Sequence, residues 1–295
     1  MFKNFDDFIG DGKAISGTLV VAAAHDRNTL EAVHAAWQEF GLKFVLVGDR
    51  GKIISFSTEM GFSPDPDMIV DADDDDCAGI SARLIKEGAG DALMKGFLDT
   101  GALLKAVLDK ENGIRGSGTL SHLALLEPPG YKKMIGITDG GMVPSPTLEQ
   151  KAQIAINAAD YYRRIGYGLP KIAALCASET VNEKIQETVD AAELQAMCRR
   201  GDLGDCLLEG PLSFDIAVSS ESAAKKGIAG EVSGDADILL VPNITVGNVL
   251  AKGLIYWASA KMAGCVLGAE IPIVLPSRGA SAEEKLLSIV MSLKS

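Results

Sequence analysis

Near its carboxyl end the chain reads Leu275-Pro276-Ser277-Arg278-Gly279-Ala280-Ser281, an apolar strand opening into a turn and then into a helix capped by Ser281. Such a turn aims backbone N–H groups and the positive end of a helix at an anion. Arg278 adds a planar guanidinium fork matched to phosphate, and Ser277 adds a hydroxyl donor. Taken alone, the same residues serve equally well as a helix cap beside a surface arginine. A second stretch, Ala236 to Pro242 followed by Gly247-Asn248, has the same strand, loop and helix form. There Gly247 would let a ligand approach the backbone and Asn248 would hydrogen-bond it, or Asn248 would simply cap the helix.

The elements that must position these residues are written in the hydrophobic pattern. Short aliphatic runs alternate with amphipathic helical segments over nearly the whole length, the signature of parallel sheets covered by helices. Leu19 to Ala24 is an unbroken apolar strand, Asn28 and Glu31 form a capping pair, and Leu30, Val33, Trp37 and Phe40 share a helical face that Gly41 closes. Further strands are predicted at 44–47, 68–70, 92–94, 122–126, 134–138, 172–177, 238–241 and 273–275. Glu127-Pro128-Pro129-Gly130 interrupts both periodicities and marks the expected crossover between two lobes. Open α/β sheets bind ligands beyond the carboxyl ends of their strands, which adds His25, Lys95-Gly96, Asp139-Gly140-Gly141 and Ser178-Glu179 to the candidates.

Composition narrows the chemistry. A formal net charge of −12 over 295 residues argues against attraction to nucleic acid or an anionic membrane face, so an anionic substrate must be met by local cations. The run Asp71, Asp73, Asp74, Asp75 and Asp76 lacks the spacing of a calcium loop and reads as a solvated turn after a strand, not a metal site. Five cysteines without a C-x-x-C pair suit reduced thiols, and no leader or spanning segment is evident, so a cytoplasmic location is expected. There is no G-x-S-x-G elbow, and Gly10-Asp11-Gly12-Lys13 precedes the first strand with the wrong spacing for a phosphate loop.

Several short stretches together resemble the phosphate acetyltransferase and phosphate butyryltransferase family. They are Leu93-Met94-Lys95-Gly96, Lys105 to Glu111, Leu120-Ser121-His122, Thr138 to Met142, Glu209 to Asp215, Ala236 to Pro242 with Gly247-Asn248, and Ser277-Arg278. They are collinear over almost the entire chain, which makes them more specific together than singly. Leu125-Leu126-Glu127-Pro128, standing where the acetyltransferase branch carries an arginine element, resembles the butyryltransferase branch, and Ala251 precedes Lys252 where the family often shows tyrosine.

The resemblance implies two α/β/α lobes with mainly parallel sheets, of isocitrate and isopropylmalate dehydrogenase-like architecture, with an active-site cleft between them. Residues 1–128 plus 268–295 are expected to form one lobe and 129–267 the other. It implies transfer of a short acyl group (butyryl, isobutyryl, propionyl or acetyl) between coenzyme A and inorganic phosphate, in a ternary complex without metal or resident cofactor. Acyl-CoA, phosphate and acyl phosphate are then the partners, and a homodimer through the second lobe is expected. The apolar run Leu254, Ile255, Tyr256 and Trp257 in a predicted helix from Val249 to Met262 supports the dimer. Among site residues, Ser277 would donate to developing charge, Arg278 would clamp phosphate, and Lys95, Ser121, His122, Asp139, Gly247, Asn248 and Lys252 would contact substrate. A carboxylate base is implied shortly after the serine, where Glu283 and Glu284 both stand. Glu284 also fits a capping box with Ser281, which tilts the choice toward Glu283. The alternative is a non-catalytic module that binds acyl-CoA or acyl phosphate.

Overall fold

The structure is a computed structural model that describes residues 1–10, 15–116, 118–277 and 279–294. Among them run eleven strands: β1 (Thr18–Ala22), β2 (Lys43–Gly48), β3 (Ile69–Asp71), β4 (Ala92–Lys95), β5 (Ser121–Glu127), β6 (Ile135–Thr138), β7 (Lys171–Leu175), β8 (Leu207–Leu212), β9 (Ile238–Leu240), β10 (Lys261–Leu267) and β11 (Ile273–Val274). The chain divides into two compact units. An N-terminal unit comprises Ile9–Gly118 and Ala263–Ser295, and a central unit comprises Met1–Phe8 and Thr119–Met262.

In the N-terminal unit the strand order is β3-β2-β1-β4-β11-β10, parallel throughout except for β10 against β11. The continuous apolar run of β1 suits a strand covered on both faces, and Leu19, Val20, Val21 and Ala22 are fully buried. Leu30 and Val33 pack on it from the helix Arg27–Phe40, and Ile289 and Leu293 from the helix Ala282–Leu293. Each such side chain contributes about 1.5–3 kcal/mol on leaving water. Gly41 closes the first of these helices in the left-handed conformation, as expected, but its cap is Asp26, whose carboxylate accepts from Thr29 N, and not the Asn28–Glu31 pair. The acidic run turns into the helix Cys77–Lys86: the Asp73 carbonyl accepts from Asp76 N and Cys77 N.

In the central unit the order is β5-β6-β9-β7-β8, with β5 antiparallel to β6 and the rest parallel. Its core gathers Leu126, Ile137, Leu175, Ile216 and Leu239. Lys133, 1% exposed, is neutralised by Asp237 at 2.5 Å, and Tyr162 donates to the Asp237 carbonyl, so this buried charge is paired and bonded.

The division departs from the expected one. Glu127-Pro128-Pro129-Gly130 is not a crossover between lobes; it joins β5 to β6 inside one unit, because prolines and a glycine break periodicity in a hairpin loop just as they do in a linker. The first eight residues belong to the central unit, where Phe2 stacks edge-on to Phe8 and its N–H reaches the Tyr167 hydroxyl at 3.1 Å. No helix among the described residues is long and apolar enough to cross a membrane.

Candidate active site

The carboxyl ends of β1, β4 and β11 lie side by side in the N-terminal unit, with Ile273 paired to Leu93 and Val274 to Met94. Gly96 continues this ladder: its N–H donates to Ala22 O at 2.8 Å, and a Cβ there would sit 2.2 Å from Ala23 O. Lys95 does not present a loose cation. Its ammonium donates to the carbonyls of Gly96 at 3.2 Å and Leu98 at 3.1 Å, bracing the loop that follows β4.

His25, just past β1, is buried. Its Nδ1 accepts from Asp49 N at 3.3 Å, which in the neutral ring places the proton on Nε2, 3.2 Å from Asp74 Oδ1 but outside hydrogen-bond geometry.

Beyond β11, Ser277 is exposed, its Oγ 3.5 Å from Gly279 N and its carbonyl accepting from Ala280 N. Arg278 lies outside the described residues. Ser281 caps the helix Ala282–Leu293, its Oγ accepting from Glu284 N at 3.0 Å. The two candidate bases differ in surroundings. Glu283 is exposed, whereas Glu284 is half-buried, and burial pushes its carboxyl above the usual glutamate value against the opposing pull of the Ser281 N–H and the Lys285 charge.

In the central unit the structure brings His122, Asp139, Gly247 and Asn248 together. Asp139, buried at the end of β6, collects four backbone donors. Oδ1 accepts from His122 N at 3.2 Å, Gly141 N at 2.8 Å and Met142 N at 2.9 Å, and Oδ2 accepts from Val143 N at 2.7 Å. Its role is to shape the 139–143 loop, since these bonds occupy both oxygens. Gly140 and Gly247 meet backbone to backbone: a Cβ on Gly247 would lie 2.7 Å from Gly140 Cα and 2.9 Å from Asp139 O. Gly247 is thus required by chain packing, and its face is not open to a ligand. Asn248 donates to Gly140 O at 3.4 Å, and the actual cap of the helix Ile244–Ala258 is Asn243, which accepts from Val246 N.

His122 packs against Gly141, and burial lowers its imidazole pKa, with the Asp139 charge opposing. It is therefore a neutral imidazole near pH 7. Lys252 is exposed one turn beyond Asn248 on the same helix face. Ser121 departs from its expected role: it is buried, and its Oγ accepts from Asn157 Nδ2 at 3.0 Å. Asn157 also donates to Thr119 O at 2.8 Å and so fixes the start of β5, a positioning role that an asparagine among the alanines of the helix Leu148–Arg164 could have signalled.

At strand ends the N-terminal unit carries a serine turn and a half-buried carboxylate, and the central unit carries a carboxylate-organised glycine loop. The phosphate acetyl/butaryl transferase family matches residues 73–293. The chain is 41% identical to a probable phosphate butyryltransferase of Bacillus subtilis over 94% of this chain and 92% of that one. It is 38% identical to a phosphate acetyltransferase of Thermotoga maritima over 93% of each. The crystal structure of a branched-chain phosphotransacylase from Enterococcus faecalis matches with a TM-score of 0.82 at 33% identity, covering 94% of this chain and 98% of that one. The chain belongs to the phosphate acetyl/butaryl transferase family.

Proposed function

We propose that the protein moves a short acyl group between coenzyme A and inorganic phosphate without forming an acyl-enzyme. The observation that carries this reading is the family match over most of the chain, supported by Ser277 at the end of β11 with a half-buried carboxylate on the next helix. In the forward direction a phosphate oxygen attacks the thioester carbonyl, the C–O bond forms, the C–S bond breaks, and the thiolate takes up a proton. In reverse, the thiol loses that proton to a carboxylate and attacks the acyl phosphate. A free thiol has a pKa of about 8.5, so a base raises the reactive fraction at neutral pH. Ser277 donates to the charge on the carbonyl oxygen, and Arg278 holds phosphate in its two-pronged fork. Glu284 is the base, because a carboxyl raised by burial is better matched to a thiol than an exposed one. His122, Asn248 and Lys252 contact substrate; Asp139 and Gly247 hold the 139–143 loop in place against them.

The experiment is release of coenzyme A thiol from acetyl-, propionyl-, butyryl- and isobutyryl-CoA, with and without phosphate and in the presence of a chelator. Phosphate-dependent release unaffected by the chelator is expected, and binding without turnover would overturn the reading. In the same assay Arg278→Lys is expected to raise the phosphate KM more than the acyl-CoA KM, since a compact ammonium keeps the charge but not the fork. An unchanged phosphate dependence would leave Arg278 without this role.

A homodimer in the cytoplasm completes the proposal. In the helix Ile244–Ala258 only Gly247 is fully buried, and Tyr256 and Trp257 are 76% and 92% exposed. A cavity of about 590 Å³ bordered by Tyr131, Phe214, Leu254 and Ala258 opens beside them. Knob and hole on one surface are what a twofold pairing needs. Sedimentation at micromolar concentration is expected to give a dimer, and Trp257→Lys to shift it toward monomer; a monomeric unmodified chain would refute the pairing.

A further inference from the structure

We propose that Phe97 is a specificity-determining residue that packs against the alkyl chain of the acyl group. This rests on the acyl-transfer reading above. The ring is 69% exposed, yet nothing about its loop is loose. Phe97 N donates to Ala23 O at 2.8 Å, Leu98 N donates to Gly96 O at 3.0 Å, and the Lys95 ammonium holds two carbonyls of the same turn. Gly96 is pressed onto the carbonyls of Ala22 and Ala23 too closely for any side chain. Asp99 then caps the helix Thr100–Val107, accepting from Gly101 N at 2.8 Å. A large apolar ring is therefore held out toward solvent by a built turn, against the tendency of such surface to leave water.

Its place says what would cover it. Val274 of β11 pairs with Met94 of β4, and Ser277 and Phe97 stand equally far along their chains beyond that rung. Neighbouring strands are about 4.8 Å apart, so Phe97 emerges from the loop next to the one that carries the serine, at the edge where α/β sheets take their ligands. The exposed face offers no polar handle, and the nearby ammonium is already engaged by carbonyls, so the turn provides apolar surface and not an anion site. Within an acyl-CoA and phosphate pair, the group that needs apolar surface near the reacting carbonyl is the acyl chain. The ring also meets His25 edge-on, with centroids 6.3 Å apart, and the residue still stays 69% exposed.

The test measures kcat/KM for acetyl-, propionyl- and butyryl-CoA at saturating phosphate in the unmodified enzyme, Phe97→Ala and Phe97→Leu. A methylene in an apolar pocket is worth about 10-fold or more in specificity. Phe97→Ala is expected to lose about 10-fold or more for butyryl-CoA but less than about 3-fold for acetyl-CoA, with Phe97→Leu between and the phosphate KM unchanged. An equal loss along the series, or no loss, overturns the assignment while leaving acyl transfer intact. An unmodified enzyme that turns over none of the three overturns the parent reading and this inference together. If Phe97→Ala does not fold, the leucine variant carries the same comparison.

Discussion

Glu284→Gln is expected to lower turnover by about 10²–10⁴, with part of the loss recovered as pH rises and the thiol ionises unaided. Glu283→Gln is expected to have little effect. The substitution is clean because the helix cap uses the backbone N–H of Glu284, which glutamine retains. Stability supplies a second readout whose sign is fixed. Burial raises the Glu284 carboxyl, so the folded state binds a proton more readily than the unfolded state does. Stability must then fall as pH rises from the ordinary glutamate value through the raised one, and glutamine removes that slope. Urea unfolding across this range checks the slope, and turnover against pH checks the base. Equal and small kinetic effects at both positions would remove general-base catalysis by this pair.

The preference for Glu284 shows where sequence reading stops. Ser281 and Glu284 fit a capping box on paper, which made Glu284 look structural; in the fold the serine does cap, and the Glu284 carboxyl feels the Ser281 N–H in return, but its burial outweighs that pull and raises it. Burial of one side chain on the first turn of a helix depends on what packs against that turn, which no local pattern records. The strands with continuous apolar runs were legible, as in β1 and β9, because burial on both faces leaves that mark. Strand β8 was not, because Glu209-Gly210-Pro211 breaks the run in its middle, and neither was β10, whose first two residues fall in a helix pattern expected to reach Met262. That helix ends at Ala258, where Ser259 turns into the left-handed conformation with φ 53°, a position normally signalled by glycine. The glycines at 140 and 247 stood out in the sequence, but the reason read for Gly247, ligand approach, differs from the one that the packing supplies. Their missing side chains make room for each other's backbone, a contact between segments over a hundred residues apart.

Asp139→Ala is expected to destabilise the protein by about 3–5 kcal/mol and to abolish most activity with it, because four backbone N–H groups lose a charged acceptor in a buried place. Asp139→Asn is expected to cost less, about 2 kcal/mol. An amide turned to keep its oxygen at the three Oδ1 donors sets its NH2 against Val143 N, so one bond becomes a clash of donors while the others lose their charge assistance. The consequence for function follows from the packing of Gly140 on Gly247: once the 139–143 loop relaxes, the carbonyl of Gly140 no longer meets Asn248, and the face that carries Asn248 and Lys252 loses its neighbour. Denaturant unfolding of both variants, with KM for acyl-CoA and for phosphate measured on the folded asparagine variant, separates loss of shape from loss of stability. A cost below about 1 kcal/mol for Asp139→Ala would mean the loop is held by something other than this carboxylate.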